Sequence, residues 1–289
     1  MLKNLFISLL LATPLLSNNL QAEIKTITNI VEIVPSVEND TLVFFNIAEV
    51  LTDSEISLGC SPWRKNIKKI APNWIVNVHD SLTLLIASEI PHKCVESITP
   101  QLIEQWQNDG LAVMAFTSRG RSEWYDTKVE GVDKLTEKML KNIGIDFSKT
   151  KLPIAFNNLD ERYGPYYSKG IIYASHHEKD ELLVEILQST KYFPHKIVFI
   201  DDKIESLIKL QETMDKLGIP FEGYCYKRTA EEHKNFKPMI AHIQLYYFIN
   251  NKVILSDEVA EKLLAKEYKD VNPDTFLFDL LNSHFVEKK

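Results

Sequence analysis

The sequence predicts an α/β protein with a Rossmann-like parallel sheet and helices on both faces. Purely apolar runs at 42–45, 111–116 and 197–200 have the composition of strands that are buried on both faces, which is typical of parallel sheets. Segments 179–190 and 204–217 instead place apolar residues at helical spacing. Because parallel strands need crossover connections, this alternation of strands and helices indicates an α/β sheet.

The composition fits a soluble globular protein. The chain has 289 residues, of which 45% are hydrophobic and 25% charged, and this is enough for one domain with a sizeable core. Its formal net charge of −7 argues against nucleic acid as a partner. Cys60, Cys94 and Cys225 lack the spacing of metal ligands, and a Cys60–Cys94 disulfide in an oxidising compartment stays open as an alternative to free thiols.

Residues 1–22 have the pattern of a secretory signal peptide. Lys3 precedes an apolar stretch at 5–16, and the segment ends at Ala22, a small residue of the kind found at signal-peptidase sites. The stretch is short for a bilayer span, so we expect cleavage rather than an uncleaved anchor or a hydrophobic first helix. The prediction is an exported protein, periplasmic or secreted, in which residues 23–289 form the domain and no stable membrane span remains.

A helical insertion is predicted after the first core strand. Residues 23–37 are expected to lead in to that strand, and residues 52–108 separate it from the next one. The insertion has helical periodicity that is broken at Pro72 and Pro91. Its helical segments are 66–70, 80–90 and 100–107. An insertion at this point could cap a pocket.

The second half of the chain continues the alternation. The elements predicted there, besides those above, are a helix at 133–143, strands at 152–156 and 170–174, and a strand around Tyr224. A tyrosine-rich turn at 163–167 is expected to join the two short strands as a hairpin. Residues 231–289 are predicted to be a mainly helical tail with a short apolar segment at 252–255, and no linker separates this tail as a domain.

Polar residues follow the predicted strands where α/β sheets place their chemistry. Asn46 follows the first strand, Thr117 the second, and Asp201 and Asp202 the run at 197–200, while Lys179 opens a helix. A hydroxyl and a cation suit an anion, so Thr117 and Lys179 are predicted to bind a small phosphorylated ligand.

In this order the positions resemble the four motifs of the haloacid dehalogenase (HAD) superfamily. The resemblance implies that Thr117 and Lys179 hold a phosphoryl group and that Asp201 and Asp202 hold magnesium. Two further segments are similar to a bacterial group of that superfamily called DUF2608. Residues 58–63, Leu-Gly-Cys-Ser-Pro-Trp, resemble a Leu-Gly-Ser-x-x-Trp element of the group, and residues 221–224 add to the similarity.

The first HAD motif is degenerate in this chain. The resemblance places a nucleophilic aspartate at Asn46 and an acid–base aspartate at Ala48. A neutral amide cannot replace an ionised carboxylate as nucleophile, and Ala48 has no proton to donate, so we predict a pseudoenzyme that binds a ligand or a protein partner. The alternative is a metal-dependent phosphohydrolase that uses Asp201 and Asp202. The residues identify no cofactor, and weak magnesium binding by this pair with Asn46 stays open as an alternative. By the alternation of a strand, Glu49 is expected to point to a different side from Asn46, so we do not expect it to replace the missing carboxylate.

Plainer interpretations of the same residues stay open. Thr117 could be only a helix cap, while Arg119, Arg121 and Lys179 could be solvated surface cations. Asp201 and Asp202 could be an N-cap pair for the helix at 204. For the remaining polar and aromatic groups we expect surface histidines at 176–177 and packed aromatic residues, rather than a partner surface, at 124–125 and 163–167.

Overall fold

The computed structural model describes residues 24–70, 76–120, 131–152, 159, 164–175 and 177–285. Its strands are β1 (Lys25–Ile27), β2 (Thr41–Phe45), β3 (Thr52–Ser54), β4 (His92–Cys94), β5 (Ala112–Thr117), β6 (Tyr166–Ser168), β7 (Ile171–Tyr173), β8 (Lys196–Asp201) and β9 (Phe221–Tyr226). Its helices are α1 (Ser61–Ile70), α2 (Val76–Glu89), α3 (Thr99–Asn108), α4 (Val132–Asn142), α5 (Lys179–Thr190), α6 (Ile204–Leu217), α7 (Arg228–Glu232), α8 (Pro238–Asn251), α9 (Asp257–Glu267) and α10 (Pro273–Phe285).

A mostly parallel sheet forms the centre of the fold. Its strand order is β1-β9-β8-β2-β5-β7-β6, so that β2 lies between β5 and β8. All neighbours in this sheet are parallel except β6, which pairs antiparallel with β7 at one edge. Residues at the start of the described chain supply the opposite edge, β1, and then a 3₁₀ helix, Ile30–Ser36. The α/β prediction is confirmed.

Alternating side chains of β2 enter two apolar layers. Val43 and Phe45 belong to a cluster that includes residues of α3 and α4, whereas Leu42 and Phe44 belong to a cluster with α5 and α6. The ring of Phe44 lies 5.6 Å from that of Phe116 and 5.5 Å from that of Phe199 on the neighbouring strands. Helices therefore cover both faces, and the strands read as continuous apolar runs for that reason.

Local periodicity gave accurate bounds for α5 and α6, but the predicted hairpin needs correction. The turn lies at Lys169 and Gly170 rather than in the tyrosine-rich segment, because Tyr166 and Tyr167 belong to β6. The expected strand at 152–156 lies mostly outside the described residues. Gly170 has φ 78°, and an added Cβ would lie 2.3 Å from the carbonyl oxygen of Phe147, so glycine is required at this turn.

The segment expected as an insertion has two parts that pack differently. Strands β3 and β4 pair antiparallel and bring together the two ends of the chain that holds α1 and α2. Helix α3 follows and packs on the sheet, where its Trp106 ring lies 6.4 Å from the ring of Phe45. The part with α1 and α2 therefore packs against the C-terminal helices α8 and α10, while α3 serves as the crossover into β5.

Residues 58–63 dock the insertion onto the C-terminal helices. Leu58, Cys60 and Trp63 are fully buried in a cluster with residues of α8 and α10, including Leu245 and Leu277. We call this cluster the docking seam. The backbone N–H of Leu58 donates to Oε1 of Gln244 at 2.8 Å. The segment that carries the family resemblance is thus a packing element of this fold, because it fixes where α1 lies.

Helices dominate the chain after β9. Helices α7 to α10 occupy the segment that was predicted to be mainly helical, and the apolar residues at 252–255 connect α8 to α9 without regular structure. Within the described ranges, no helix combines the length and the hydrophobicity needed to cross a membrane.

A polar cluster lies at the amino ends of β1, β8 and β9. Its members, which we call the amino-end cluster, are Lys25, Ser36, Lys196, Glu222 and Tyr224. Oε1 of Glu222 contacts Nζ of Lys196 at 2.5 Å, and its Oε2 accepts hydrogen bonds from Ser36, Tyr224 and Lys25. This carboxylate is surrounded by donors and balanced by two cations.

Candidate functional site

The predicted polar residues meet at the carboxyl ends of three neighbouring strands. Asn46 follows β2, Thr117 ends β5, and Asp201 ends β8, so their positions converge because β5, β2 and β8 are adjacent and parallel. All three are buried, with relative exposures of 8%, 2% and 1%. Lys179 reaches them from the first residue of α5. We call the surface depression above these residues the strand-end cleft.

Lys179 is a buried partner of Asp201 rather than a solvated surface cation. Its side chain is 6% exposed, and its Nζ lies 2.7 Å from Oδ2 of Asp201. The rings of Phe199 and Phe116 lie beneath it, with centroids 5.1 Å and 6.0 Å from Nζ. A cation in such surroundings needs its carboxylate, and the carboxylate equally needs the cation.

Three hydrogen bonds fix the amide of Asn46. Nδ2 donates to Oδ1 of Asp202 at 2.8 Å and to the carbonyl oxygen of Ala48 at 3.1 Å, while Oδ1 accepts from Nζ of Lys179 at 3.2 Å. Two acceptors on the nitrogen side and a cationic donor on the oxygen side determine which way the amide points.

These contacts do not fit a divalent cation held by Asn46, Asp201 and Asp202. Magnesium would need oxygen atoms facing a common point, but Asn46 presents N–H groups to Asp202. Asp201 already accepts from Lys179 through Oδ2 and from the backbone N–H of Lys203 through Oδ1, at 3.2 Å. The described ranges contain no cluster of three or more His, Cys, Asp or Glu side chains that could hold a metal.

Asp202 and Glu49 face the same cleft. Burial first, then the nearby charges of Asp201 and Glu49, raise the pKa of Asp202 to about 7. The expectation that Glu49 faces away from Asn46 was wrong. Strand β2 ends at Phe45, and Glu49 has φ 66° in the turn that follows, so the alternation of a strand does not extend to it.

Arg119 lies in the wall of the cleft beside Thr117. Its backbone N–H donates to Oγ1 of Thr117 at 3.3 Å, and its Nη1 donates to Oγ1 of Thr136 at 2.9 Å. Burial, followed by the charge of Arg64, lowers the pKa of Arg119 to about 10. Two guanidinium groups therefore repel one another here, and no carboxylate of the described chain forms an ion pair with Arg119.

Helix α1 supplies cations that the sequence interpretation missed. Ser61, Arg64, Lys65 and Lys68 line the cleft at positions i, i+3, i+4 and i+7, which is one face of a helix. We call Arg64, Lys65 and Lys68 the cationic wall. The sequence signal was this spacing opposite Trp63 and the other apolar residues of the helix, but the direction of the polar face depends on the docking seam.

The cleft as a whole carries an excess of positive charge. It has a volume of about 350 Å³, at the lower end of the range for small-molecule sites. The cations at its surface are Arg64, Lys65, Lys68, Arg119, Lys179 and Lys203, and the acids are Glu49, Asp201 and Asp202. Six cations against three acids favour an anionic ligand.

Other predicted groups lie apart from the cleft. Asp201 and Asp202 are not the N-cap pair of α6. Its N-cap is Lys203, which has no side-chain capping bond and whose backbone N–H donates to Asp201. His177 is exposed, as expected. The three cysteines form no disulfide. Predictions for Arg121, His176, the aromatic residues at 124–125 and Tyr163 fall outside the described residues.

Comparison with known proteins gives a family match. The model of the family described as "Protein of unknown function (DUF2608)" matches residues 23–261. The match covers all strands of the sheet, the insertion and helices α7 and α8, and it ends within α9.

Similar proteins occur in Chlamydia and Rickettsia. A protein of Chlamydia trachomatis named "Putative outer membrane protein" is 27% identical over 89% of this chain and 96% of its own length. A protein of the same name from Chlamydia muridarum is 24% identical over 90% of this chain and 97% of its own. An uncharacterized protein of Rickettsia prowazekii is 24% identical over 81% of this chain and 86% of its own.

Proposed function

The chain belongs to the DUF2608 family, whose function is unknown, and from that premise we propose that it is an exported, HAD-like protein that binds an anionic ligand without hydrolysing it. Support for the HAD relationship comes from the placement of its motifs. Asn46, Thr117, Lys179 and Asp201 follow one another along the chain in the order of the proposed motifs, and they lie together at one end of the sheet. The part of the insertion with α1 and α2 then acts as a cap beside the strand ends.

The chemistry of the site supports binding without hydrolysis. A phosphoryl group above the strand ends would meet the amide of Asn46 and the methyl group of Ala48 where the superfamily has a nucleophile and an acid. The amide is also engaged, since Lys179 and Asp202 bond to its two ends. The three carboxylates of the cleft are engaged as well: Asp201 pairs with Lys179, Glu49 lies 3.6 Å from Arg64, and Asp202 accepts a hydrogen bond from Asn46 itself.

The observation that carries the proposal is the excess of cations over acids in the strand-end cleft. Lys179 forms an ion pair with Asp201. The buried hydroxyl of Thr117 and the cations of Arg119 and Lys203 line the same cleft without such a pair in the described chain, so they remain available to an anion. A small phosphorylated compound has the charge and the size for this site. The alternative, a metal-dependent phosphohydrolase, would need carboxylate oxygens of Asp201 and Asp202 that already accept hydrogen bonds.

We propose the cell envelope as the location. The signal-peptide pattern of residues 1–22 supports export. The names of the chlamydial relatives, "Putative outer membrane protein", agree with this proposal. Direct sequencing of the mature N-terminus after expression in a bacterium should begin at Glu23, and an uncut N-terminus would contradict the proposed signal peptide.

Calorimetric titration of the full chain with inorganic phosphate tests the function. We expect binding in the presence of EDTA, a loss of affinity of about fivefold for Lys203→Ala, and no change for Lys138→Ala, an exposed lysine on α4 outside the cleft. p-Nitrophenyl phosphate with magnesium should give no turnover. Metal-dependent hydrolysis that disappears in Asp201→Ala would overturn the proposal.

Restoration of the first motif provides a second test. In Asn46→Asp with Ala48→Asp, two carboxylates replace the amide and the methyl group, so magnesium affinity should rise by about tenfold or more over the wild type. Titration with magnesium alone measures this change. Equal magnesium affinity in the two proteins would count against a pocket of HAD descent.

A further inference from the structure

We propose that the ligand of the strand-end cleft is a metabolite-sized molecule with two separated phosphoryl groups, one bound at the strand ends and one by the cationic wall of α1. This inference rests on the anion binding proposed above and names the class of ligand for that site. It assigns a binding role to Arg64, Lys65 and Lys68, which the motif comparison does not include.

The geometry of α1 directs its cations into the cleft. The helix buries Trp63 and Ile67 in the docking seam, with relative exposures of 0% and 1%. Its opposite face is therefore fixed, and this face carries Lys65 and Lys68 to the cleft. A rigid support of this kind is what distinguishes a built cationic surface from mobile surface lysines.

Two positively charged regions are separable in the cleft. At the strand ends, Lys179 is balanced by Asp201, and Lys203 is the cation that faces Asp202. On α1, Arg64 lies 3.6 Å from Glu49 and also donates to the carbonyl oxygen of Gly59 at 2.6 Å. Lys65 and Lys68 have no carboxylate partner within the part of the chain that the structure describes. One anion at the strand ends would leave these lysines unbalanced.

Arg119 connects the two regions. Its half-buried side chain lines the cleft together with Arg64, and after burial the charge of Arg64 helps to lower the pKa of Arg119, so the two guanidinium groups lie near one another. An anionic group near both would replace this repulsion with two charge-assisted contacts. A single phosphoryl group bound by the motif residues would therefore leave part of the positive charge of the cleft unbalanced.

The size of the cleft restricts the ligand to small molecules. A volume of about 350 Å³ holds a phosphorylated sugar or a compound of similar size, but it does not enclose a polymer. Six cations against three acids match a ligand of about three to four negative charges, as two phosphoryl groups carry near neutral pH.

Fructose 1,6-bisphosphate and fructose 6-phosphate serve as matched probes. We expect the full chain, titrated in EDTA, to bind the bisphosphate about tenfold more tightly than the monophosphate. Lys65→Ala with Lys68→Ala should remove this preference and leave monophosphate affinity within about twofold. The control is Lys138→Ala with Lys141→Ala, which removes two exposed lysines of α4 at the same i, i+3 spacing outside the cleft.

Each outcome decides between the two levels of the proposal. Equal affinity for the two probes, or a preference that survives in Lys65→Ala with Lys68→Ala, overturns the two-group ligand while anion binding stands. If neither probe nor inorganic phosphate binds, the proposed function itself fails. Thermal unfolding of both double variants at wild-type temperature verifies that the comparison concerns binding and not folding.

Discussion

Two groups of charged residues lie at opposite ends of the same sheet, and they differ in how their charge is balanced. In the amino-end cluster, burial would raise the pKa of Glu222, but hydrogen bonds from Lys196, Ser36 and Tyr224 outweigh it and lower the pKa to about 2. In the strand-end cleft, burial and neighbouring acids raise the pKa of Asp202 to about 7. Four donors surround the carboxylate of Glu222, whereas that of Asp202 accepts from the neutral amide of Asn46 and lies beside two further acids.

The difference separates a structural group from a binding site. The amino-end cluster matches one carboxylate with two lysines and two hydroxyl donors. The strand-end cleft has twice as many cations as acids and opens to solvent. Charge that its own neighbours balance stabilises the fold, whereas a surplus beside a cavity is free to act on a ligand.

The largest expected effect is the loss of Lys179. Lys179→Met leaves Asp201 buried with a backbone N–H as its remaining described donor, and breaking a buried pair in this way costs about 3–5 kcal/mol. Urea unfolding should show this decrease in the free energy of unfolding. A decrease below about 1 kcal/mol would mean that water reaches Asp201 and that the pair is not truly buried.

A smaller effect is expected for the matching lysine at the other end. Lys196→Met removes the contact at 2.5 Å, but Glu222 keeps Ser36, Tyr224 and Lys25, so the loss should be about 1 kcal/mol. The same urea experiment measures it. If the two lysine variants lose equal stability, the amino-end cluster is no more redundant than the Lys179–Asp201 pair.

Acid should weaken the amino-end cluster in a defined range. The pKa of Glu222 is lowered from 4.5 to about 2, so its stabilisation is complete above 4.5 and is lost as the pH falls towards 2. Between pH 6 and pH 3, the free energy of unfolding should fall by about 1 kcal/mol less in Glu222→Gln than in the wild type. This figure is reduced because the side chain is partly exposed. Glu104→Gln, at an exposed carboxylate, is the control. A slope unchanged by Glu222→Gln would contradict the assignment.

The smallest effect is a gain in ligand affinity. Asp202→Asn removes one negative charge from the cleft, while the new side-chain oxygen still accepts from Asn46, so phosphate affinity at pH 8 should rise about threefold. Asp270→Asn, at an exposed position that follows α9 and does not line the cleft, provides the control for net charge. Weaker binding in Asp202→Asn would show that Asp202 helps to hold the ligand through a bridging cation.

The features that could be predicted from the sequence are those that depend on the local pattern of apolar and polar residues. The helices at 179–190 and 204–217 have the bounds of α5 and α6, and the polar residues at strand ends converge because parallel neighbours share an edge. The direction of the polar face of α1 could not be predicted, because it depends on contacts between residues that are distant in the sequence. Lys65 and Lys68 belong by their spacing to the polar face of a helix, and only the packing of Trp63 against the C-terminal helices turns that face towards the cleft.

Rules for regular elements also failed where those elements end. Alternation along β2 predicts that Glu49 points away from Asn46, but Glu49 lies four residues past the end of β2, in a turn where its φ is positive. The proline and glycine of the tyrosine-rich segment predict a turn there, but the positive φ that the hairpin needs belongs to Gly170.

The docking seam determines where an expressed fragment of this protein can end. Similarity to the family ends at residue 261, yet Leu277, Leu280 and Leu281 of α10 are buried against the segment that positions α1. A fragment ending at 261 would expose an apolar surface on α8 and the insertion, and we expect it to aggregate in expression. The unit to express for binding assays therefore extends through α10, beyond the boundary that similarity suggests.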